Sequence, residues 1–202
     1  VIAEDTLLQI TEFMDSEESA GGLGVKMIDG TGNFLPESKR SFPFPDVSFY
    51  KIFGLARLFP KSRKFGKYHL SFLDKNEINE VDVLSGAFML IRKEAIQKVG
   101  GLDEDFFMYG EDIDMSYRIT KAGFKNYYYP KTTIIHYKGE STKKSSLNYV
   151  FMFYNAMIIF AKKHFSSGFA GFYRLMILTA VWLRAGVSVI KRVFKSLFLP
   201  VV

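Results

Sequence analysis

Between Val81 and Tyr137, runs of strand-forming residues alternate with short helical stretches, each stopped by glycine. That alternation constrains the fold more than any other feature. It calls for a sheet with helices packed against it, an α/β arrangement. VDVLSGAFMLI (81–91) predicts a strand around a Gly86-Ala87 break, and a glycine inside a strand marks close approach of a ligand or another backbone. Residues 92–99 predict a helix stopped by Gly100-Gly101, and 112–122 a second one ended by Gly123. Residues 124–129 and 132–137 predict two more strands, separated by Pro130. There is no internal repeat.

Upstream, residues 5–15 space Leu7, Leu8, Ile10, Phe13 and Met14 at helical intervals, with Asp5 as N-cap and Gly21-Gly22 as the stop. Residues 23–28 read as a strand, and Asp29-Gly30-Thr31-Gly32 as a turn into Asn33-Phe34-Leu35, together a hairpin. Residues 36–80 lack periodicity and are broken by Pro36, Pro43, Pro45 and Pro60, with a basic loop at Lys61, Arg63, Lys64 and Lys67. A segment of that kind is usually a functional loop. Phe42, Phe44, Phe49, Tyr50 and Phe53 suit a lid or an acceptor-binding wall, and equally the ordinary packing of a long loop.

Charge divides the chain. Up to Pro36, seven acids face one base, Lys26; from Lys138 onward, ten bases face only Glu140. Such a tail meets an anionic partner. Its bases are set among aliphatic stretches rather than interleaved with exposed aromatics, which favours a membrane surface over nucleic acid. Residues 147–165 and 169–198 read as helices, but Arg174 and Arg184 interrupt the second. No uncharged run there reaches the roughly 18–20 residues of a clean span. A helical tail in the membrane interface, a packed helical subdomain and a tilted span with snorkelling arginines all fit. The expected division is 1–145 for the α/β part and 146–202 for the tail. The absence of cysteine excludes a disulfide framework, a Cys-ligated zinc and a thiol nucleophile. Val1 at the start, with no signal segment after it, reads as a cut through a longer protein.

GGLDEDFFMYGEDIDMSYR (100–118) carries the chemistry. Asp103, Glu104, Asp105, Glu111, Asp112 and Asp114 lie among hydrophobic residues rather than in a solvated run. Acids at a helix start are commonly simple capping, because free N–H groups and the helix dipole stabilise them. The run Phe106-Phe107-Met108-Tyr109 favours a pocket wall instead, beside which a partly desolvated carboxylate could act as general base. Neighbours on a helix point about 100° apart, so Glu111 and Asp112 are not the facing pair of a glycosidase. His136, at the end of a strand run, reads as a hydrogen-bonded structural residue or a metal ligand.

Residues 81–144 as a whole resemble the second half of bacterial family 2 glycosyltransferases, in particular the rhamnosyltransferase-like group. The resemblance rests on GAFMLIR, GGLDEDFFMYGEDID, the AGF turn and IIHYKGES. AEDTLLQITEFMD and GLGVKMIDGTGNFLP are similar to the segment downstream of the DXD metal motif in that family. The resemblance implies a partial GT-A (Rossmann-like) domain with a C-terminal helical extension. It also implies a nucleotide-diphosphate sugar donor, a divalent metal (Mg2+ or Mn2+), and inversion by direct displacement. Asp112 would be the catalytic base, with Glu111 orienting it or an acceptor hydroxyl. Gly86, Ala87, Asp103 and Tyr109 would contact substrate, and His136 would be a metal ligand. Asp114 and Arg118 would tie their helix to its surroundings. The nucleotide-binding half should precede residue 1, so the piece alone is expected to be inactive and poorly folded. Asp103-Glu104-Asp105 has the letters of a DXD motif but not its position. The expected setting is the cytoplasmic face of a bacterial inner membrane, with rhamnose moved to a lipid-linked glycan and no nucleic-acid partner. A non-catalytic sugar- or lipid-binding relative and a metal-dependent phosphoryl-transfer enzyme are the other readings.

Overall fold

The computed structural model describes residues 1–137 and 147–165, with 168–169, 171–176 and 178–179. The chain forms two compact units, Val1–Ala156 and Met157–Val202. The first is α/β, built on a mixed four-stranded sheet. Its order is β2 (Asn79–Val81), β4 (Lys125–Ile135), β1 (Ala20–Ile28), β3 (Leu90–Ile91). The central pair β1 and β4 is parallel, and both outer strands run antiparallel to their neighbours.

Helix α1, Thr6–Ser16, buries Thr6, Ile10 and Met14, one residue every four, against the sheet. Asp5 stands at the N-cap position without a side-chain cap bond and accepts instead from Gln9 at 2.6 Å. The helix ends at Ser16, ahead of Gly21-Gly22, which lie inside β1. The two glycines are there for close packing rather than to stop a helix. A Cβ on Gly21 would lie 2.4 Å from Phe124 Cβ, and one on Gly22 would lie 2.6 Å from Leu84 Cδ1. Gly21→Ala is expected to cost about 1–3 kcal/mol of unfolding free energy by overpacking. Denaturant titration would read this, and an unchanged midpoint would show that the neighbours yield.

Residues 124–137 differ from expectation, since one strand, β4, runs straight through Pro130. Its register against β1 passes from Val25↔Tyr129 to Lys26↔Thr133. Pro130, which has no N–H to give, therefore sits in a bulge where the ladder asks for none. The turn at Asp29 forms, with Asp29 Oδ1 accepting from the amides of Thr31 and Asn33 at 2.9 Å each. The Thr31 hydroxyl and these amides hold its carboxyl down at about 2. The returning chain makes only the bridge Ile28↔Phe34, with the Leu35 amide donating to the Met27 carbonyl, so the hairpin is rudimentary.

Residues 36–80 prove structured, with α2 (Pro45–Ile52), α3 (Leu55–Leu58) and 3₁₀ turns at Pro36–Ser38 and Phe65–His69. Their anchor is Lys39, which is buried and donates to the carbonyls of Leu70 (2.7 Å) and Leu73 (2.8 Å). Downstream, α4 (Lys93–Val99) stops at Gly100, φ +80°, and α5 (Glu111–Lys121) is followed by Gly123, φ +94°. Helix α6 covers Leu147–His164. In the second unit Phe165 packs edge-on against Phe160 and Tyr173, both fully buried. The expected helix beyond 179, with Arg184, Lys191, Arg192 and Lys195, lies outside the described residues, as do Lys138, Lys143 and Lys144. No helix among the described residues is long and apolar enough to cross a membrane.

Candidate active site

The site is assembled on the first turn of α5. Tyr109 (φ +69°) and Gly110 (φ +91°) take successive left-handed conformations just before it. For a tyrosine that conformation costs of order 1 kcal/mol or more and persists only where the surroundings enforce it. The turn is tight, since a Cβ on Gly110 would come within 3.0 Å of the Phe106 ring and 3.1 Å of Ala156. Upstream, Asp103 accepts the Asp105 amide at 3.0 Å, and the Tyr109 ring meets Phe153 edge-on.

One face of α5 then holds the segment after β2. Residues 81–91 do not form the continuous strand expected of them. The Leu84 amide donates to Ser116 Oγ (3.1 Å) and the Gly86 amide to Asp112 Oδ2 (3.1 Å). Ser116 and Asp112, four residues apart on the helix, thus take amides that a sheet ladder would otherwise use. Gly86 lies directly on the acids, for a Cβ there would be 3.4 Å from Glu111 Oε1 and 3.5 Å from Asp112 Cβ. Ala87 is exposed beside it.

Arg40 completes the arrangement, and nothing in the sequence singled it out. Its guanidinium donates to Asp112 Oδ2 at 2.5 Å and to the Leu84 carbonyl at 3.0 Å, with both members of the ion pair largely buried. Further bonds hold it in place. The Val83 amide donates to the Arg40 carbonyl, Ser41 Oγ donates to Asp82 Oδ2 at 2.6 Å, and Lys39 anchors the chain on its other side. Burial opposes the Arg40 charge, but the Asp112 carboxylate, with help from Tyr68, more than offsets it, and its proton is held more tightly than usual. The only available signal was local: two adjacent bases, Lys39-Arg40, between Glu37-Ser38 and Ser41, with Pro36 and Phe42-Pro43 just beyond.

Asp112 Oδ2 therefore accepts two hydrogen bonds, which fills its lone pairs, while Oδ1 accepts one, from the Ile113 amide at 2.8 Å. Among the described residues one acceptor position on Oδ1 stays open. Glu111 differs, as burial, with the Asp112 charge adding, pushes its carboxyl above the usual range. Its Oε2 is buried and has no hydrogen-bond partner among the described residues. Asp114 is fully buried and bound by Arg118 Nε at 2.7 Å, and Arg118 also donates to the carbonyls of Val99 and Gly101.

Glu111, Asp112 and Gly86 thus come together, and Asp103 and Tyr109 lie on the turn that leads into them. His136 is not joined to them. It follows the end of β4, its amide donates to the Ile28 carbonyl at 2.9 Å, and no hydrogen bond or ion pair links its ring to either carboxylate. Among the described residues no three His, Asp or Glu side chains are grouped so as to hold a metal.

Comparison with known proteins bears directly on this site. A family described as "Glycosyltransferase like family 2" matches residues 6–149, which includes every one of these positions. N-acetylglucosaminyl-diphospho-decaprenol L-rhamnosyltransferase of Mycobacterium tuberculosis is 30% identical over 146 residues, 72% of this chain and 47% of that protein. Rhamnosyltransferase WbbL of Escherichia coli is 44% identical over 57 residues, 28% of this chain and 22% of its own length. Succinoglycan biosynthesis protein ExoA of Rhizobium meliloti is 40% identical over 52 residues, 26% of this chain and 16% of its own. The chain thus spans at most about half the length of these curated relatives. With most of its length matched and the carboxylate-bearing helix inside the match, this chain belongs to the family 2 glycosyltransferases.

Proposed function

We propose that this chain is the acceptor-side part of an inverting glycosyltransferase, with Asp112 as general base. The observation that carries the reading is the open acceptor position on Asp112 Oδ1, beside an Oδ2 already held by Arg40 and the Gly86 amide. A carboxylate fixed by three donors is oriented in advance, and only one direction is left from which a hydroxyl can approach. In the reaction the acceptor oxygen forms a bond to the anomeric carbon of the donor sugar as its proton passes to Oδ1. The bond from that carbon to the nucleoside diphosphate breaks with its electron pair, so the configuration inverts.

Glu111, whose Oε2 is closed off from solvent and has no hydrogen-bond partner among the described residues, is assigned to orienting the base or a second acceptor hydroxyl. The same atom, with the raised proton affinity of its carboxyl, supports a second reading in which Glu111 is the base. Gly86, Ala87, Asp103 and Tyr109 are proposed to line the substrate site. A divalent metal (Mg2+ or Mn2+), when bound, supplies charge neutralisation at the leaving diphosphate. His136, whose ring has no hydrogen bond among the described residues, is proposed as one ligand.

The relatives' names include two rhamnosyltransferases, one named for a lipid-diphosphate acceptor. Rhamnose from a nucleotide-diphosphate donor, moved to a lipid-linked glycan at the cytoplasmic face of the inner membrane, is accordingly the proposed activity of the intact protein. The chain alone, spanning 47% of that relative, is proposed to be inactive. The test is to incubate the intact protein with nucleotide-diphosphate rhamnose and polyprenyl-diphosphate N-acetylglucosamine and to read the new glycosidic bond by NMR. The expected product has the configuration opposite to the donor's. Retention, or transfer to no lipid-linked acceptor, would contradict the proposal.

A further inference from the structure

The part of the fold that supplies Arg40 also carries an exposed apolar surface that the proposed chemistry does not use. Phe49 on α2 and Phe53, the residue that follows the helix, are four positions apart, with ring centroids 4.4 Å from each other, and both are exposed. Phe49 also meets Tyr50 edge-on, Tyr50 meets Phe65 at 5.0 Å, and Phe65 meets Phe59 at 5.5 Å. Five rings therefore form one connected cluster across residues 49–65, and Leu58 beside it is 70% exposed. Water-facing rings in a continuous group are unusual on a monomer and mark an interaction surface.

Charge identifies the partner. Residues 45–69 carry six bases and a single acid, Asp46. Arg57, Lys61, Arg63 and Lys64 are exposed, and Lys64 Nζ lies within 6 Å of the Tyr50 and Phe65 rings, so bases and rings share one surface. Lys51 is not part of it: its ammonium lies 3.2 Å from the centre of the buried Tyr68 ring. Exposed aromatic and aliphatic side chains ringed by lysine and arginine match an anionic lipid surface. The rings enter the boundary between headgroups and acyl chains while the bases meet phosphates.

We infer that the α2–α3 segment is a membrane-docking surface that seats the protein on an anionic bilayer through Phe49, Phe53, Leu58 and Phe59, with Lys61, Arg63 and Lys64 on headgroups. The sequence assigned membrane contact to the basic tail; this surface is a different one, inside the α/β unit. Two steps connect it to the candidate base. Tyr68, on the 3₁₀ turn packed against α2, neighbours Arg40, and Arg40 binds Asp112. A bilayer at α2–α3 would hold a lipid-linked acceptor on the side of the fold from which Arg40 approaches the carboxylate. Docking itself is independent of sugar transfer, so its test stands or falls separately from the proposed reaction.

The experiment is co-sedimentation of the full chain with vesicles of phosphatidylcholine alone or with phosphatidylglycerol added. Four proteins are compared: wild type, Phe53→Ser/Phe59→Ser, Lys61→Gln/Arg63→Gln/Lys64→Gln, and the tail variant Lys191→Gln/Arg192→Gln/Lys195→Gln. Wild type is expected to bind only the anionic vesicles. Each α2–α3 variant is expected to lose affinity by about tenfold or more. The side chains changed in the two α2–α3 variants are exposed, so their circular dichroism and thermal unfolding should match wild type. Wild-type binding by both α2–α3 variants, loss confined to the tail variant, or no vesicle binding by wild type would each overturn the inference.

Discussion

Asp112→Asn in the intact protein is expected to lower the rate of sugar transfer by about 10²–10⁴, the range for loss of a general base. Asparagine keeps the volume and still offers an oxygen to the Gly86 amide, 3.1 Å from the present carboxylate. It cannot take a proton from the attacking hydroxyl. It also leaves the largely buried Arg40 guanidinium without its counter-charge, so some loss of stability is expected too. The kinetics separate the two effects. Loss of the base lowers kcat with donor binding retained, whereas general loosening of the site weakens donor binding as well. Near wild-type turnover would remove Asp112 from the chemistry and leave it as the partner that locks Arg40 and residues 84–86 onto α5.

Arg118→Met is expected to have the largest effect on stability, about 3 kcal/mol. It would leave the fully buried Asp114 carboxylate without its cation and release the carbonyls of Val99 and Gly101, which Arg118 now bridges to α5. That figure is at the lower end for a broken buried pair, because Asp114 is in the first turn of α5, where the helix dipole still favours its charge. Denaturant unfolding of Arg118→Met should show it. The double variant with Asp114→Asn should recover a good part of the loss, since the stranded charge is gone. A single-variant cost under about 1 kcal/mol would mean that Asp114 is stabilised by its other contacts.

Much of the frame was legible. Glycine at positive φ stops α4 at Gly100 and comes just after α5 at Gly123, and such stops can be read locally. The helical spacing also marked Ile10 and Met14 on the buried face of α1, although Leu7 and Leu8, counted with them, are exposed. What could not be read locally was set by tertiary contacts. Pro130 looks like a strand breaker until β1 supplies a partner against which a bulge can form. Gly21-Gly22 looks like a helix stop until Phe124 and Leu84 are found where a Cβ would go. VDVLSGAFMLI looks like a strand until Ser116 and Asp112 are seen to take its amides.

The same division holds at the site. Glu111 and Asp112 stood out because acids beside Phe106-Phe107-Met108-Tyr109 need a reason to be there. Arg40 did not, because it comes from the aperiodic segment and meets Asp112 from 72 positions away. The aromatics of that segment divide in space. Phe42 is buried against Tyr117 of α5, while Phe49 and Phe53 face outward. No sequence period distinguishes the two groups, since the loop that sorts them is itself held by the buried Lys39.

Two adjacent carboxylates at the start of α5 compete for one role, so the most direct measurement sets them side by side. Single-turnover transfer by the intact protein would be measured for wild type, Asp112→Asn and Glu111→Gln, at saturating donor and acceptor. If Asp112 is the base, its variant falls by about 10² or more while Glu111→Gln falls by about tenfold, as for a residue that only holds an acceptor hydroxyl. The reverse order would contradict the assignment. It would move the base to Glu111, whose buried Oε2 has no hydrogen-bond partner among the described residues.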